Sequence, residues 1–145
     1  NVKPLGLSTD TVEEHNTWIS DVNETQGVDL TFPIVADKDL SVAKTYDMIH
    51  PNADDTAAIR SVFIIDPAKK VRLMMTYPMN VGRNFDEILR VIDALQIADA
   101  QTVALPANWR PGDKVIIPLS LDDDAAKAKF GDFEAARPYL RMTQL

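Results

Sequence analysis

The sequence contains no cysteine. This excludes disulfides, cysteine-ligated zinc and any cysteine nucleophile within these residues. Only two histidines are present, too few for a histidine metal cluster. No apolar run reaches the roughly 18 residues that a transmembrane helix needs. Asn1 opens no charged-then-apolar leader, so the expected compartment is the cytoplasm, unless a lost N-terminus carried a targeting segment. Basic charge is also short. Lys and Arg number 15 against 22 Asp and Glu, a formal net charge of −7. Nonspecific nucleic-acid binding needs Lys/Arg clusters that displace counterions, so this balance disfavours it. Anionic membrane surfaces are disfavoured for the same reason. What remains is an ordinary globular mix, 46% hydrophobic and 26% charged over 145 residues. That length suits one domain, or one domain with a small appendage.

The hydrophobic pattern predicts a strand over Val2–Leu7, ending at Ser8. Asp10 and Glu13 form a D-x-x-E capping-box pattern. Val12, His15, Trp18, Ile19 and Val22 follow at helical spacing, and Asn23–Gly27 ends that helix. Pro33 forces Phe32 away from the α region, so Phe32–Val35 reads as extended. Asp37–Asp47 suits a short helix, and residues 49–58 a loop. Val62–Ile65 is apolar on both faces and predicts a central, doubly covered strand. A turn at Asp66–Lys69 returns the chain as an antiparallel strand over Val71–Tyr77. Asn84 caps a helix with Phe85, Ile88, Leu89, Ile92 and Leu95 on one face. This order is α/β, a layout that thioredoxin-like folds share with others. Residues 1–97 are the expected core domain, and 98–145 a tail. The tail carries Pro106, Pro111, Pro118 and Pro138, one extended run at Lys114–Ile117 and one helix at Asp122–Phe130. It is expected to decorate the core, or a partner, without building a core of its own.

Two arginines stand out. Arg60 sits at the mouth of the Val62–Ile65 strand, where it can hold an anion or lower the pKa of a nearby thiol. A solvated strand end is the competing explanation. Arg83 directly precedes a helix N-terminus that already carries positive partial charge. A residue that breaks a local rule is a functional candidate, here with Gly82 and the helix amides as an anion or peroxide-oxygen site. The alternative is that Arg83 swings out to solvent or an acidic neighbour. Other candidates have plainer explanations. His15 on the apolar stripe reads as a structural histidine, and His50 before Pro51 is weaker still. Asp122–Asp124, Glu13 with Glu14, and Asp86 with Glu87 fit helix first turns. Met74 and Met75 face opposite sides of a strand and read as packing. Ser8 has no nucleophile elbow around it.

The stretch Ser8-Thr9-Asp10-Thr11-Val12-Glu13-Glu14-His15-Asn16-Thr17-Trp18 resembles the S-x-D-x(4)-H-x-x-W signature of peroxiredoxins. Phe32-Pro33-Ile34, Asp37, Ala43 and Tyr46 resemble the F-P-I stretch that follows in that family. Arg60 with Val62-Phe63-Ile64-Ile65-Asp66-Pro67 resembles its R-x-x-F-I-I-D-P strand and turn. Tyr77-Pro78, Gly82–Arg90, Pro106–Asp113 and Tyr139-Leu140-Arg141 resemble the one-cysteine branch in particular. The resemblance implies a thioredoxin-like fold whose N-terminal strands and catalytic helix are missing, with a C-terminal dimerisation extension over 98–145. It implies a parent enzyme that reduces hydrogen peroxide and alkyl hydroperoxides. In that family a cysteine thiolate attacks the O–O bond and becomes a sulfenic acid, and an external thiol restores it. By resemblance, Arg60 would activate the thiolate, and Arg83 would help position it and polarise the peroxide. No cofactor or metal is implied. The implied partners are the peroxide, a thiol reductant and a second copy in a homodimer. A phospholipase-like activity ascribed to some animal relatives uses an aspartate at the position of Ala68, so it is not carried over.

The family's P-x-x-x-T-x-x-C loop precedes the point where this sequence begins. The chain alone is therefore expected to be inactive. The strand leading to that cysteine would lie between the first strand and the Val62–Ile65 strand. Without it those two strands should not pair directly, and their edges should expose backbone groups. A longer expressed protein, or another polypeptide filling the gap, is the expectation. The rival readings are a noncatalytic peroxiredoxin-like structural or binding module and an unrelated acidic α/β enzyme. Absence of cysteine favours the module, while retention of Arg60 and Arg83 argues against it.

Overall fold

The computed structural model describes residues 2–49 and 59–145. His50, Pro51 and the expected loop from 50 to 58 lie outside the described residues. The chain forms two compact units, Asn1–Arg83 and Asn84–Leu145.

In the first unit, β1 (Gly6–Ser8) leads into α1 (Val12–Gln26), β2 (Ile34–Ala36) and α2 (Ser41–Thr45). Two longer strands follow, β3 (Arg60–Ile65) and β4 (Val71–Tyr77). β1 pairs in parallel with β2, Gly6 opposite Ile34. A Cβ on Gly6 would stand 3.1 Å from Ile34 Cγ1, so this close approach suits glycine. β3 pairs antiparallel with β4, from Arg60 opposite Tyr77 to Ile65 opposite Val71.

Several expectations are corrected here. β1 is shorter than Val2–Leu7 and lies further along, because Val2 and Leu5 are exposed. The capping box is Thr11 with Glu14, one residue later than Asp10 with Glu13. Thr11 Oγ1 accepts from the Glu14 amide at 3.2 Å, and Glu14 Oε2 accepts from the Thr11 amide at 2.8 Å. Gly27 closes α1 in the left-handed region at φ 63°. Among the described residues β3 pairs only with β4, so it is not central, and Ile65 is 46% exposed. β1 and β3 lie in separate sheets and do not pair with each other, which does not contradict the expectation that they are not neighbours.

In the second unit, α3 (Phe85–Gln101) is followed by β5 (Val115–Ile116) and α4 (Asp123–Phe130). A hairpin closes it, β6 (Glu134–Arg137) and β7 (Leu140–Thr143), giving the antiparallel order β5-β7-β6. The tail does build a core. Val103, Trp109 and Val115 are buried together, with Ala94, Ile97, Leu105 and Phe130 packed on them. Trp109, Ile117 and Val115 are the largest fully buried side chains among the described residues. α3 groups with the tail because Ala94 and Ile97 belong to this cluster, so the compact units divide at Arg83 rather than after Ile97.

Candidate functional site

Arg60 opens β3, between two residues whose amides are hydrogen-bonded. The Ile59 amide donates to Met48 O at 2.7 Å. The Ser61 amide donates to Ile59 O at 2.7 Å, closing a three-residue turn on Arg60. Arg60 has no positive φ, which makes this an inverse γ-turn, common at strand ends. Tyr77 stands directly opposite across the hairpin, so the two side chains leave on one face. Yet Arg60 Nε is buried and has no hydrogen-bond partner, a feature it shares among the described residues with Arg141 Nε. Orphaned buried donors are rare, because each forfeits its hydration. A positioned backbone with an unused guanidinium donor is what an anion-binding or thiolate-activating arginine requires.

Arg83 is exposed and closes the first unit, next to Asn84, whose side chain accepts from the Glu87 amide at 3.1 Å and caps α3. β4 ends at Tyr77, and a turn follows in which the Val81 amide donates to Pro78 O at 3.0 Å. Arg60 stands opposite Tyr77, the last residue of β4, and Arg83 follows six positions later in the chain. Tyr77, which the sequence left without a role, is anchored by its hydroxyl, which donates to Met75 Sδ at 3.8 Å.

A second polar cluster sits where β1 ends. Ser8 Oγ donates to Asp10 Oδ2 at 2.7 Å and stands 2.7 Å from Nε2 of the buried His15. A carboxylate only accepts, so the single hydroxyl proton goes to Asp10, and His15 must donate from Nε2. His15 is therefore not a base acting on Ser8. The trio clamps β1 to α1, which agrees with reading His15 as structural and Ser8 as no nucleophile.

Ser8 O also accepts from the Asp37 amide at 2.9 Å. The Asp37 carboxylate, 2% exposed, accepts from the Val42 amide at 3.0 Å, the Ala43 amide at 2.6 Å and Ser41 Oγ at 3.2 Å. Burial pushes its pKa up, but these hydrogen bonds outweigh burial and hold it below the usual value. A lowered folded-state pKa means the carboxylate stabilises the fold fully above the ordinary aspartate range. That contribution disappears as pH falls through the lowered value. On acidification, the Val42 and Ala43 amide signals in NMR are expected to hold after exposed aspartates have titrated, and then to move together. Movement in step with the exposed aspartates would refute this.

The remaining candidates act locally. Glu87 grips Arg90 with two bonds, to Nε at 2.6 Å and to a terminal nitrogen at 2.8 Å, and Arg90 reaches Trp109 O at 3.1 Å. The hydrogen bond with Arg90 lowers the Glu87 pKa and raises that of Arg90. Asp122 caps α4 by accepting from the Ala125 amide at 2.8 Å. Asp123 pairs with the buried Arg141 at 2.7 Å. Arg141 also donates to Pro118 O at 2.8 Å and Leu121 O at 2.6 Å, a structural role that its sequence position did not reveal.

The fold is that of a thioredoxin-like α/β protein. The AhpC/TSA family profile matches residues 1–74, and the profile of the C-terminal domain of 1-Cys peroxiredoxin matches residues 94–132. The mitochondrial peroxiredoxin PRX1 of Saccharomyces cerevisiae is 50% identical over 99% of this chain. The 1-Cys peroxiredoxin of Dictyostelium discoideum is 47% identical over 99% of it. This chain spans only 58% and 60% of those two relatives. A solved structure of the yeast mitochondrial 1-Cys peroxiredoxin superposes with a TM-score of 0.92 at 51% identity, covering 100% of this chain and 71% of that one. Peroxiredoxin 6 of Arenicola marina superposes with a TM-score of 0.90 at 38% identity, covering 99% of this chain and 70% of that one. The chain belongs to the AhpC/TSA family of peroxiredoxins.

Proposed function

We propose that this chain is the arginine-bearing part of a thiol-dependent peroxidase that reduces hydrogen peroxide and alkyl hydroperoxides. The observation that carries this reading is Arg60, rigidly placed yet with a buried, unpartnered Nε. In the reaction, a cysteine thiolate supplied by a segment outside this sequence attacks one peroxide oxygen. The O–O bond breaks, sulfenic acid forms, and the departing oxygen takes up a proton to leave as water or alcohol. An external thiol then reduces the sulfenic acid. The Arg60 guanidinium favours the thiolate over the neutral thiol. Arg83 adds positive charge where the departing oxygen becomes negative. The thiol-resolving systems named for the yeast relative, glutathione and thioredoxin, give the class of reductant. A homodimer is part of the proposal, with residues 98–145 against the partner. The exposed Leu119, Tyr139 and Leu145 supply apolar surface for that contact. No helix among the described residues is long and apolar enough to cross a membrane. A cytoplasmic location is proposed from the sequence, and the yeast relative makes mitochondria an equally consistent compartment.

The test is reconstitution. This chain is joined behind the cysteine-bearing segment of the yeast relative, and peroxide consumption is followed with glutathione or thioredoxin as reductant. Consumption that depends on the grafted cysteine supports the proposal. A folded, dimeric chimera that leaves peroxide untouched would overturn it, in favour of a noncatalytic module.

A further inference from the structure

Met74, Met75 and Met79, three of the five methionines, fall within six residues of one another. Their surroundings differ sharply. Neighbouring residues of a strand face opposite sides. Met74 leaves β4 on its open face with Arg72 and Thr76 and is 59% exposed. Met75 shares the other face with Leu73 and Tyr77, is half-buried, and accepts the Tyr77 hydroxyl at its sulfur. Met79 lies in the turn after β4 and is 52% exposed. Of the other two, Met48 is 8% exposed and Met142 is half-buried in β7.

A thioether reacts with a peroxide through a sulfur lone pair. Reach therefore depends on exposure, and a hydrogen bond to the sulfur draws on the same electrons. Met75 is shielded in both ways, and its neighbour Met74 in neither. We propose that Met74, opposite Phe63 on the open face of β4, and Met79, on the connection that follows the Arg60 end of the hairpin, are the methionines that hydroperoxides oxidise. The sulfur attacks one peroxide oxygen, the S–O bond forms and the O–O bond breaks. The departing oxygen takes a proton and leaves as water or alcohol. Sulfur is oxidised by two electrons and the peroxide is reduced by two. The product is a sulfoxide, which methionine sulfoxide reductases reverse. Met79 lies on the short connection from Tyr77, opposite Arg60, to Arg83. Converting its apolar side chain into a polar, chiral one alters the segment that presents Arg83. The oxidised state would thus report excess peroxide at the site. This regulatory part rests on the peroxidase reading above.

The oxidation itself is tested on the chain as it stands. The whole chain is exposed to hydrogen peroxide and then cleaved with trypsin. Cleavage after Arg72 and Arg83 releases Leu73–Arg83, one peptide that carries all three methionines. Tandem mass spectrometry should find Met74 and Met79 gaining one oxygen roughly tenfold faster than Met75, with Met48 slowest, since susceptibility follows exposure. Equal rates at Met74 and Met75, or Met48 reacting as fast as Met79, would overturn the site. In Tyr77→Phe the Met75 rate should rise toward that of Met74, and an unchanged rate would overturn the shielding. Full oxidation should move the Arg83 amide resonance in the parent chain but not in the Met74→Leu/Met79→Leu variant. An unmoved Arg83 resonance would overturn the regulatory link. These readouts need no cysteine, so an inactive chimera would leave them standing. A failure here would likewise leave the peroxidase reading untouched.

Discussion

Arg60→Ala in the reconstituted peroxidase is expected to slow peroxide consumption about 10²–10³-fold, the usual loss when a charge-stabilising donor is removed from an active site. The unfolding temperature should barely change. The Arg60 Nε is buried without a partner, so truncation removes an unsatisfied donor and breaks no bond at that atom. The backbone bonds of Ile59 and Ser61 survive the substitution. Arg141 has a buried, unpartnered Nε as well, but its terminal nitrogens carry structural bonds, so it should behave in the opposite way. Arg141, tied to Asp123, Pro118 and Leu121, should cost stability when truncated. Arg60→Lys keeps the charge but loses the planar fork, and should recover only part of the rate. A further readout separates activation from positioning. Without Arg60 the cysteine should ionise at higher pH, so the rate profile should move to higher pH in Arg60→Ala. Activity and pH profile both matching the parent would show that Arg60 is not the activating group.

Most of the first unit could be read from its residues, because its signals are local. The stripe of α1, the turn before β4 and the apolar run of β3 each lie within a single element. The Asn84 cap is equally local, since the residue three positions on supplies the amide it accepts. The misses have a common physical origin. The choice between Asp10 and Thr11 as cap depends on which backbone turns first, and both offer an acceptor three residues before a glutamate. The role of Asp37 depends on an amide five and an amide six residues away, in a helix short enough to leave little periodic signal. The clamp of Ser8, Asp10 and His15 joins a strand end to the inner face of a helix, and the S-x-D-x(4)-H spacing marked these residues without showing that they bond to one another. Arg60 was legible as a charge at a strand mouth, and Arg83 as a charge that breaks a local rule before a helix N-terminus. That Arg60 faces Tyr77 follows only from the register of the hairpin. The strongest misreading concerned the tail. Its prolines suggested a segment that decorates, whereas Pro106, Pro111 and Pro118 punctuate a chain that brings separate apolar residues onto one cluster.

Trp109 is where that misreading can be tested most sharply. It is 2% exposed and lies at the centre of the cluster with Val103 and Val115. Its indole Nε1 donates to Asp113 O at 3.1 Å, closing the turn that its own carbonyl ties to Arg90 at 3.1 Å. Trp109→Ala is expected to cost about 3–5 kcal/mol, the range for emptying a buried aromatic site. A unit of this size holds roughly 3–9 kcal/mol in all, at about 0.05–0.15 kcal/mol per residue. The substitution should therefore leave residues 84–145 unfolded or close to it. Trp109→Phe keeps most of the ring volume and gives up the hydrogen bond, so it should fall between the two. Hydrogen exchange followed by mass spectrometry reads the effect directly. The Ile116 amide donates to Ala104 O at 2.8 Å and the Ile117 amide to Arg141 O at 2.9 Å, and both should be protected in the parent chain. Both should lose protection in Trp109→Ala and keep part of it in Trp109→Phe. If protection in the alanine variant matched the parent, the tail would be held by contacts other than its own core, and it would again read as an appendage. If it collapsed as expected, the proline-broken segment would be an integral folding element, able to hold a fixed surface toward the proposed partner subunit.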